Sequence, residues 1–353
     1  MERKDTWVHG RGASSNPKSR FERLDILYEP EAEEAHPNRA PTVLLRDNTK
    51  SVLSSNDSPD LPFNYSLNPY RGCEHGCAYC YARPTHEYLG FSAGLDFETR
   101  ILVKENAPGL LRQELANPRW QPQTVALSGV TDPYQPVERQ LTITRRCLEV
   151  FVEARNPLVI VTKNHLVTRD IDLLAKLAEV DACVVLLSVP TLDAELAREL
   201  EPRASHPRRR IDAIAALSAR GIPTGVMVAP VIPGLTDHEI PRILDTASAA
   251  GARSAGYVML RLPFGLRAMF EDWLRAHRPD RAERVLRRIR DVRDGTLNDT
   301  AWGRRQRGTG PYADQVGELF RVARARSGLA SRSMELNVKA FRRPRCGPQM
   351  ALF

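Results

Sequence analysis

From about residue 65 onward the chain alternates short apolar runs with amphipathic stretches. The runs at 124–128, 158–162, 183–188, 224–229 and 256–260 are rich in aliphatic residues, and 66–70 is a further candidate strand. A run that is apolar at both alternating faces predicts a strand covered on both sides. Between the runs, apolar positions recur at helical spacing. Leu141, Cys147, Leu148 and Phe151 share one face of 138–154; Leu173, Leu174 and Leu177 share one face of 168–178. Ile211, Ile214 and Leu217 do the same in 207–219, and further helical patterns cover 266–277, 280–293 and 313–327. Strands alternating with helices predict βαβ units and a parallel sheet. Six units are too few for a closed eight-stranded barrel.

The two ends read differently. Residues 1–60 are polar, Pro-rich and mixed in charge, with an acidic patch from Glu29 to Glu34, which predicts an extended N-terminal arm. The α/β unit is expected over 61–278. Residues 279–353 are expected to form a helical extension and basic tail, interrupted by a Gly- and Arg-rich loop at 294–312. With 42% hydrophobic residues the chain can fill a sizeable core, yet no apolar run approaches a membrane span. The opening Met-Glu-Arg-Lys-Asp-Thr-Trp has no apolar region of a secretory signal. Six Cys, three of them clustered, fit metal binding in a reducing compartment better than a disulfide framework. A cytoplasmic protein is expected. The net charge is +8, and all but seven of the 51 cations are Arg. That balance suits a nucleic-acid partner, although GC-rich coding produces the same composition.

Chemistry concentrates in Cys-Glu-His-Gly-Cys-Ala-Tyr-Cys, where Cys73, Cys77 and Cys80 lie three residues and then two apart. A complete iron–sulfur cube normally takes four thiolates, so three leave one iron open. Zinc is the alternative and needs a fourth ligand that His75 is badly placed to supply. Gly72 and Gly76 relieve backbone crowding around the thiols. This spacing resembles the signature of the radical S-adenosylmethionine (SAM) enzymes. The resemblance implies a partial (β/α)6 TIM-like barrel, with a [4Fe-4S] cluster on Cys73, Cys77 and Cys80 and SAM chelating the open iron. It also implies an electron donor such as a flavodoxin or ferredoxin, and cleavage of SAM to a 5′-deoxyadenosyl radical.

The same resemblance assigns further residues. Tyr79, just before the third Cys, takes the place beside the SAM adenine. At the end of the second candidate strand the family commonly carries Gly-Gly-Glu against the SAM amino group; this chain offers Ser128, Gly129, Thr131 and Asp132. Lys163, at the end of the third, could pair with the SAM carboxylate, and Ser188, at the end of the fourth, falls where the family contacts the ribose. The turn 229–237 resembles the adenine-contacting turn. Each also has a plain reading as core filler, turn or surface residue. His86 is a proton donor or a structural histidine. Cys147 and Cys183 read as small core residues, and Cys346 is unassigned.

The cluster run, Ser-Gly-Val-Thr-Asp-Pro-Tyr-Gln-Pro at 128–136 and Thr162-Lys163, in this order, look most like the spore photoproduct lyase-related branch, often labelled DNA repair photolyase. That lyase uses a Cys as hydrogen-atom donor, and no Cys here sits in that place. The stretches Ala-Arg-Pro-Thr-His and Gly-Leu-Asp-Phe-Glu suggest a subgroup of their own. The expected function is therefore a radical SAM enzyme acting on DNA, with the Arg-rich loop near Arg304 to Arg307 positioning substrate. The alternatives are modification of a protein or small molecule, or a non-catalytic iron–sulfur or zinc module. Gln349, Met350, Ala351, Leu352 and Phe353 resemble the peptide with which bacterial repair proteins dock on the sliding clamp.

Overall fold

The computed structural model describes residues 10–17, 20–21, 41–330 and 335–345. The clamp-like peptide at Gln349–Phe353 and Cys346 lie outside them. Two sheets organise the chain. Strands β1 (Val43–Arg46), β2 (Leu53–Ser55), β3 (Tyr65–Leu67), β4 (Tyr70–Arg71) and β5 (Arg100–Val103) precede the regular repeat. It continues through β6 (Val125–Leu127), β7 (Leu158–Thr162), β8 (Cys183–Ser188), β9 (Thr224–Val231) and β10 (Ser254–Met259). The large sheet runs β10-β9-β8-β7-β6-β3-β2. Its six strands from β3 to β10 are parallel and adjacent in chain order, and β2 adds antiparallel at the edge. Among the described residues β10 and β2 do not pair, so the sheet stays open as a partial barrel.

The long apolar runs at 158–162 and 183–188 became strands with those bounds. The run at 66–70 did not stay whole. After Leu67 the chain turns at Asn68-Pro69, where Pro69 has no N–H to continue a ladder. Tyr70–Arg71 then pairs with β5 in a second, three-stranded sheet of order β1-β5-β4. The expected helix 138–154 is likewise two, Glu138–Leu141 and Ile143–Ala154, divided at Thr142 with φ +54°. The cause is the buried Glu138, whose carboxylate accepts from the Thr144 amide at 3.0 Å and so starts the second helix. Glu138 also accepts from the Tyr70 hydroxyl and pairs with Arg169 at 2.7 Å.

The segment expected as an arm contributes β1 and β2, and its residues 10–17 lie over the loop that carries the three Cys. A Cβ on Gly12 would sit 1.7 Å from the Gly76 carbonyl oxygen, so only Gly fits that approach. The helices of the main layer bury Leu148, Phe151, Leu174 and Leu217 against β6–β9. A second core joins Cys77, Ala78 and Tyr79 to Leu200, Ile232 and Leu260 and to the helices Leu266–His277 and Ala282–Asp291. Each large aliphatic or aromatic side chain buried there contributes roughly 1.5–3 kcal/mol. Helix Pro311–Arg326 puts Val316 and Phe320 into the main core, and 294–310 is a loop as expected. No helix among the described residues is long and apolar enough to cross a membrane.

Candidate active site

The three thiols lie on one loop leaving β4, with Cys73 and Cys77 buried and Cys80 half-buried. Its backbone is held from several sides. The Cys73 amide donates to the Phe97 carbonyl at 2.9 Å, and the Ala78 amide to the Leu200 carbonyl at 2.9 Å. Gln135 bridges the loop, accepting from the Glu74 amide at 2.9 Å and donating to the Gly72 carbonyl at 3.2 Å. Arg83, fully buried, donates from Nε and Nη2 to the Cys77 carbonyl at 3.0 and 2.8 Å. It also pairs with the equally buried Glu98 at 2.5 Å. Gly72 and Gly76, at φ +82° and +65°, supply the left-handed backbone this winding needs.

Burial pushes all three thiols above their ordinary range. In a metal-free chain they stay protonated, and metal must displace the protons. The donor set fits the iron–sulfur cube that the resemblance implies: three soft ligands on one buried, backbone-fixed loop, each for a separate iron.

Beside this loop the strand ends bring together Tyr79, Lys163 and Ser188. Lys163 Nζ donates to Ser188 Oγ at 2.7 Å and to the Ala229 carbonyl at 3.1 Å, and lies 5.6 Å from the Tyr79 ring centroid. A residue absent from the sequence reading ties them: Glu201, fully buried. Its carboxylate accepts from the Tyr79 hydroxyl, pairs with Arg210, and pairs with Lys163 at 3.2 Å. Burial alone would raise the Glu201 carboxyl, but Arg210 and Lys163 outweigh it and bring it down to about 2. Arg210 in turn donates to the Ser188 carbonyl at 2.9 Å.

The residues at the end of β6 divide. Ser128 and Gly129 are half-buried, and the Gly129 carbonyl accepts from the Tyr81 hydroxyl at 2.5 Å. Thr131 is buried and donates to the Tyr70 carbonyl at 2.9 Å. Asp132 accepts from Thr162 Oγ1 at 2.7 Å, the Lys163 amide at 2.8 Å and the Tyr134 amide at 2.9 Å, and faces His75 Nδ1 at 3.4 Å. Both side chains therefore bind the protein's own strand ends. His86 bonds the Arg100 carbonyl at 2.9 Å, packs between Phe91 and Phe97, and is lowered by burial to about 4. That environment keeps it neutral near pH 7. Cys147 and Cys183 sit in the main core as expected.

The Arg-rich loop is mostly engaged internally. Arg304 pairs with Asp294 and Asp299, and Arg307 donates to the Tyr257 carbonyl. Arg305 pairs with Asp60 at 2.6 Å and lies 4.2 Å from the Trp302 ring centroid. Arg261, just beyond β10, lies 5.1 Å from the ring centroid of Tyr81, the residue after Cys80. Arg83, Glu98, Glu201, Arg210 and Arg261 were not singled out from sequence. Only Arg83 and Glu98 had a signal, each lying in one of the two unusual stretches, Ala-Arg-Pro-Thr-His and Gly-Leu-Asp-Phe-Glu.

The chain is similar to several known proteins. An uncharacterized protein of Mycobacterium tuberculosis is 42% identical over 220 residues, 62% of this chain and 65% of its own length. The match thus spans less than two thirds of that relative. A Pseudomonas phage M6 protein named radical SAM Nalpha-GlyT isomerase is 31% identical over 186 residues, covering 52% of this chain and 36% of the phage protein. In fold, the chain resembles spore photoproduct lyase complexed with dinucleoside spore photoproduct, at TM-score 0.58, 15% identity and coverage of 81% and 80% of the two chains. A variant of that lyase with bound AdoMet and the same photoproduct aligns at TM-score 0.59 and 16% identity over 82% of this chain and 80% of the lyase chain. Residues 67–247, over half of the chain and including Cys73, Cys77 and Cys80, match the Radical SAM superfamily, whose enzymes use a [4Fe-4S] cluster and SAM, and the chain belongs to that family.

Proposed function

We propose that this chain is a radical SAM enzyme acting on nucleic acid. In this reading Cys73, Cys77 and Cys80 hold the cluster, which when bound supplies the electron that cleaves SAM. Tyr79, Lys163 and Ser188 form one side of the SAM site, with Ser128 and Gly129 at its rim. Thr131 and Asp132 serve it by fixing the ends of β6 and β7. Glu201 keeps the Lys163 ammonium and the Tyr79 ring in register.

The observation that supports a nucleic-acid substrate is the cationic mouth beside the cluster loop. Arg261 lies over the Tyr81 ring, one residue from Cys80, and burial first, then the neighbouring Arg305, disfavours its charge. The Arg261 guanidinium beside the cluster loop, on a chain of net charge +8, suits a phosphate backbone. The phage relative and the lyase fold point the same way through the substrates their names carry.

Anaerobic reconstitution with iron, sulfide, reductant and SAM tests the chemistry, and 5′-deoxyadenosine is the expected product. The substrate class is tested by affinity for DNA and RNA across a salt series, where binding should fall linearly on a log–log plot. Absent or salt-insensitive binding sinks the nucleic-acid reading. Modification of a protein or small molecule would then take its place.

A further inference from the structure

We propose that the barrel mouth docks unpaired nucleobases on an arginine-backed aromatic rim formed by Tyr81, Phe264 and Trp302. The inference rests on the nucleic-acid reading above and narrows it to single-stranded or locally unpaired substrate.

The three rings are 46%, 50% and 53% exposed. Single exposed aromatics are ordinary on a protein surface; here Tyr81 and Trp302 are linked through the neighbouring guanidiniums of Arg261 and Arg305. Tyr81 follows the cluster ligand Cys80 and is tied to the end of β6 through its bond to Gly129. Phe264 lies three residues beyond Arg261 on the segment leaving β10. Trp302 belongs to the loop that Asp60 pins, through the Gly303 amide at 2.7 Å and Arg305 at 2.6 Å. Asp60 lies in the β2–β3 connection, and the Met259 amide at the end of β10 donates to the Gln306 carbonyl of the same loop at 2.9 Å, so the loop touches both segments. Each ring is backed by a guanidinium: Arg261 over Tyr81 at 5.1 Å, Arg20 over Phe264 at 3.5 Å and Arg305 over Trp302 at 4.2 Å.

Two of the three guanidiniums already have carboxylate partners, Arg20 with Glu87 at 2.7 Å and Arg305 with Asp60 at 2.6 Å, and Arg261 differs from them. Asp60 is committed to Arg305 and Gly303. Arg261 Nε is buried without a hydrogen-bond partner among the described residues. A buried, charged donor left unpaired is costly and calls for an acceptor. A phosphate oxygen suits the half-buried Arg261 guanidinium, whose exposed part offers charged donors in a fixed fork. The ring faces select the state of the bases. In a duplex the base faces are hidden in the stack, whereas an unpaired base offers a face to any aromatic ring, whatever its sequence. An acidic peptide would answer the charge but leave three ring faces without planar partners.

The test uses the full-length protein and a short labelled oligothymidine, compared with a duplex of the same length and with polyglutamate. The single strand should bind more tightly than the duplex and quench Trp fluorescence, and Trp302→Phe should remove the quenching while retaining affinity. Trp302→Ala should weaken single-strand binding by about tenfold or more. Arg261→Gln should lower the salt slope by about one. If the duplex binds as well or better and Trp302→Ala and Phe264→Ala bind like the parent, the rim proposal fails while the nucleic-acid reading stands. If polyglutamate binds and neither nucleic acid does, both fail.

Discussion

Replacing Glu201 with Gln tests the buried network that aligns Tyr79 and Lys163. The amide keeps the shape of the side chain and removes its charge, leaving Lys163 and Arg210 facing each other without their shared anion. The magnitude follows from two routes. The Glu201 carboxyl falls from an ordinary 4.5 to about 2 on folding, and each unit is about 1.4 kcal/mol, giving about 3 kcal/mol of stability near neutral pH. Breaking one partner out of a buried ion pair costs about 3–5 kcal/mol. The sign is that of a depressed carboxyl: the stabilisation is full above pH 4.5 and disappears as pH falls toward 2. Urea unfolding of the metal-free chain, parent against Glu201→Gln, measures it. The variant should be weaker by about 3 kcal/mol at pH 7, and the gap should close between pH 4.5 and 2. A gap below about 0.5 kcal/mol at pH 7, or one that does not change with pH, would refute this reasoning.

Three further outcomes are expected. Replacing Cys73, Cys77 or Cys80 with Ala should abolish the iron–sulfur absorbance and 5′-deoxyadenosine formation, whereas Cys147→Ala should lower stability by roughly 1 kcal/mol and leave both intact. Arg83→Met should strand the buried Glu98 carboxylate and release the Cys77 carbonyl, costing about 3–5 kcal/mol in urea unfolding and reducing the iron bound on reconstitution. Gly12→Ala should drive residues 10–17 off the cluster loop, because its Cβ cannot stand 1.7 Å from the Gly76 oxygen; limited proteolysis should then cut that segment faster than in the parent.

The sequence by itself determined the repeat and showed the three-Cys run. Burial on both faces leaves an uninterrupted aliphatic run, so β7 and β8 could be read with their bounds. The three Cys are a local pattern, because one short loop must carry all three thiols. Lys163 and Ser188 could be placed at strand ends for the same reason: the strands announce where they stop. Tertiary structure alone decided what those residues meet. Glu201 comes to Tyr79 from 122 positions away, and Glu98 reaches Arg83 across 15. A buried charge in an amphipathic stretch looks the same in sequence as one facing water, and only packing shows which partner its field and hydrogen bonds require. Thr131 and Asp132 show the converse: their position beside the site was legible, but their hydroxyl and carboxylate are taken by Tyr70, Thr162 and Lys163. The mouth is the furthest from sequence. Tyr81, Arg261, Phe264 and Trp302 belong to three separate segments, and no periodicity links residues whose only relation is that an open sheet gathers its loops at one end.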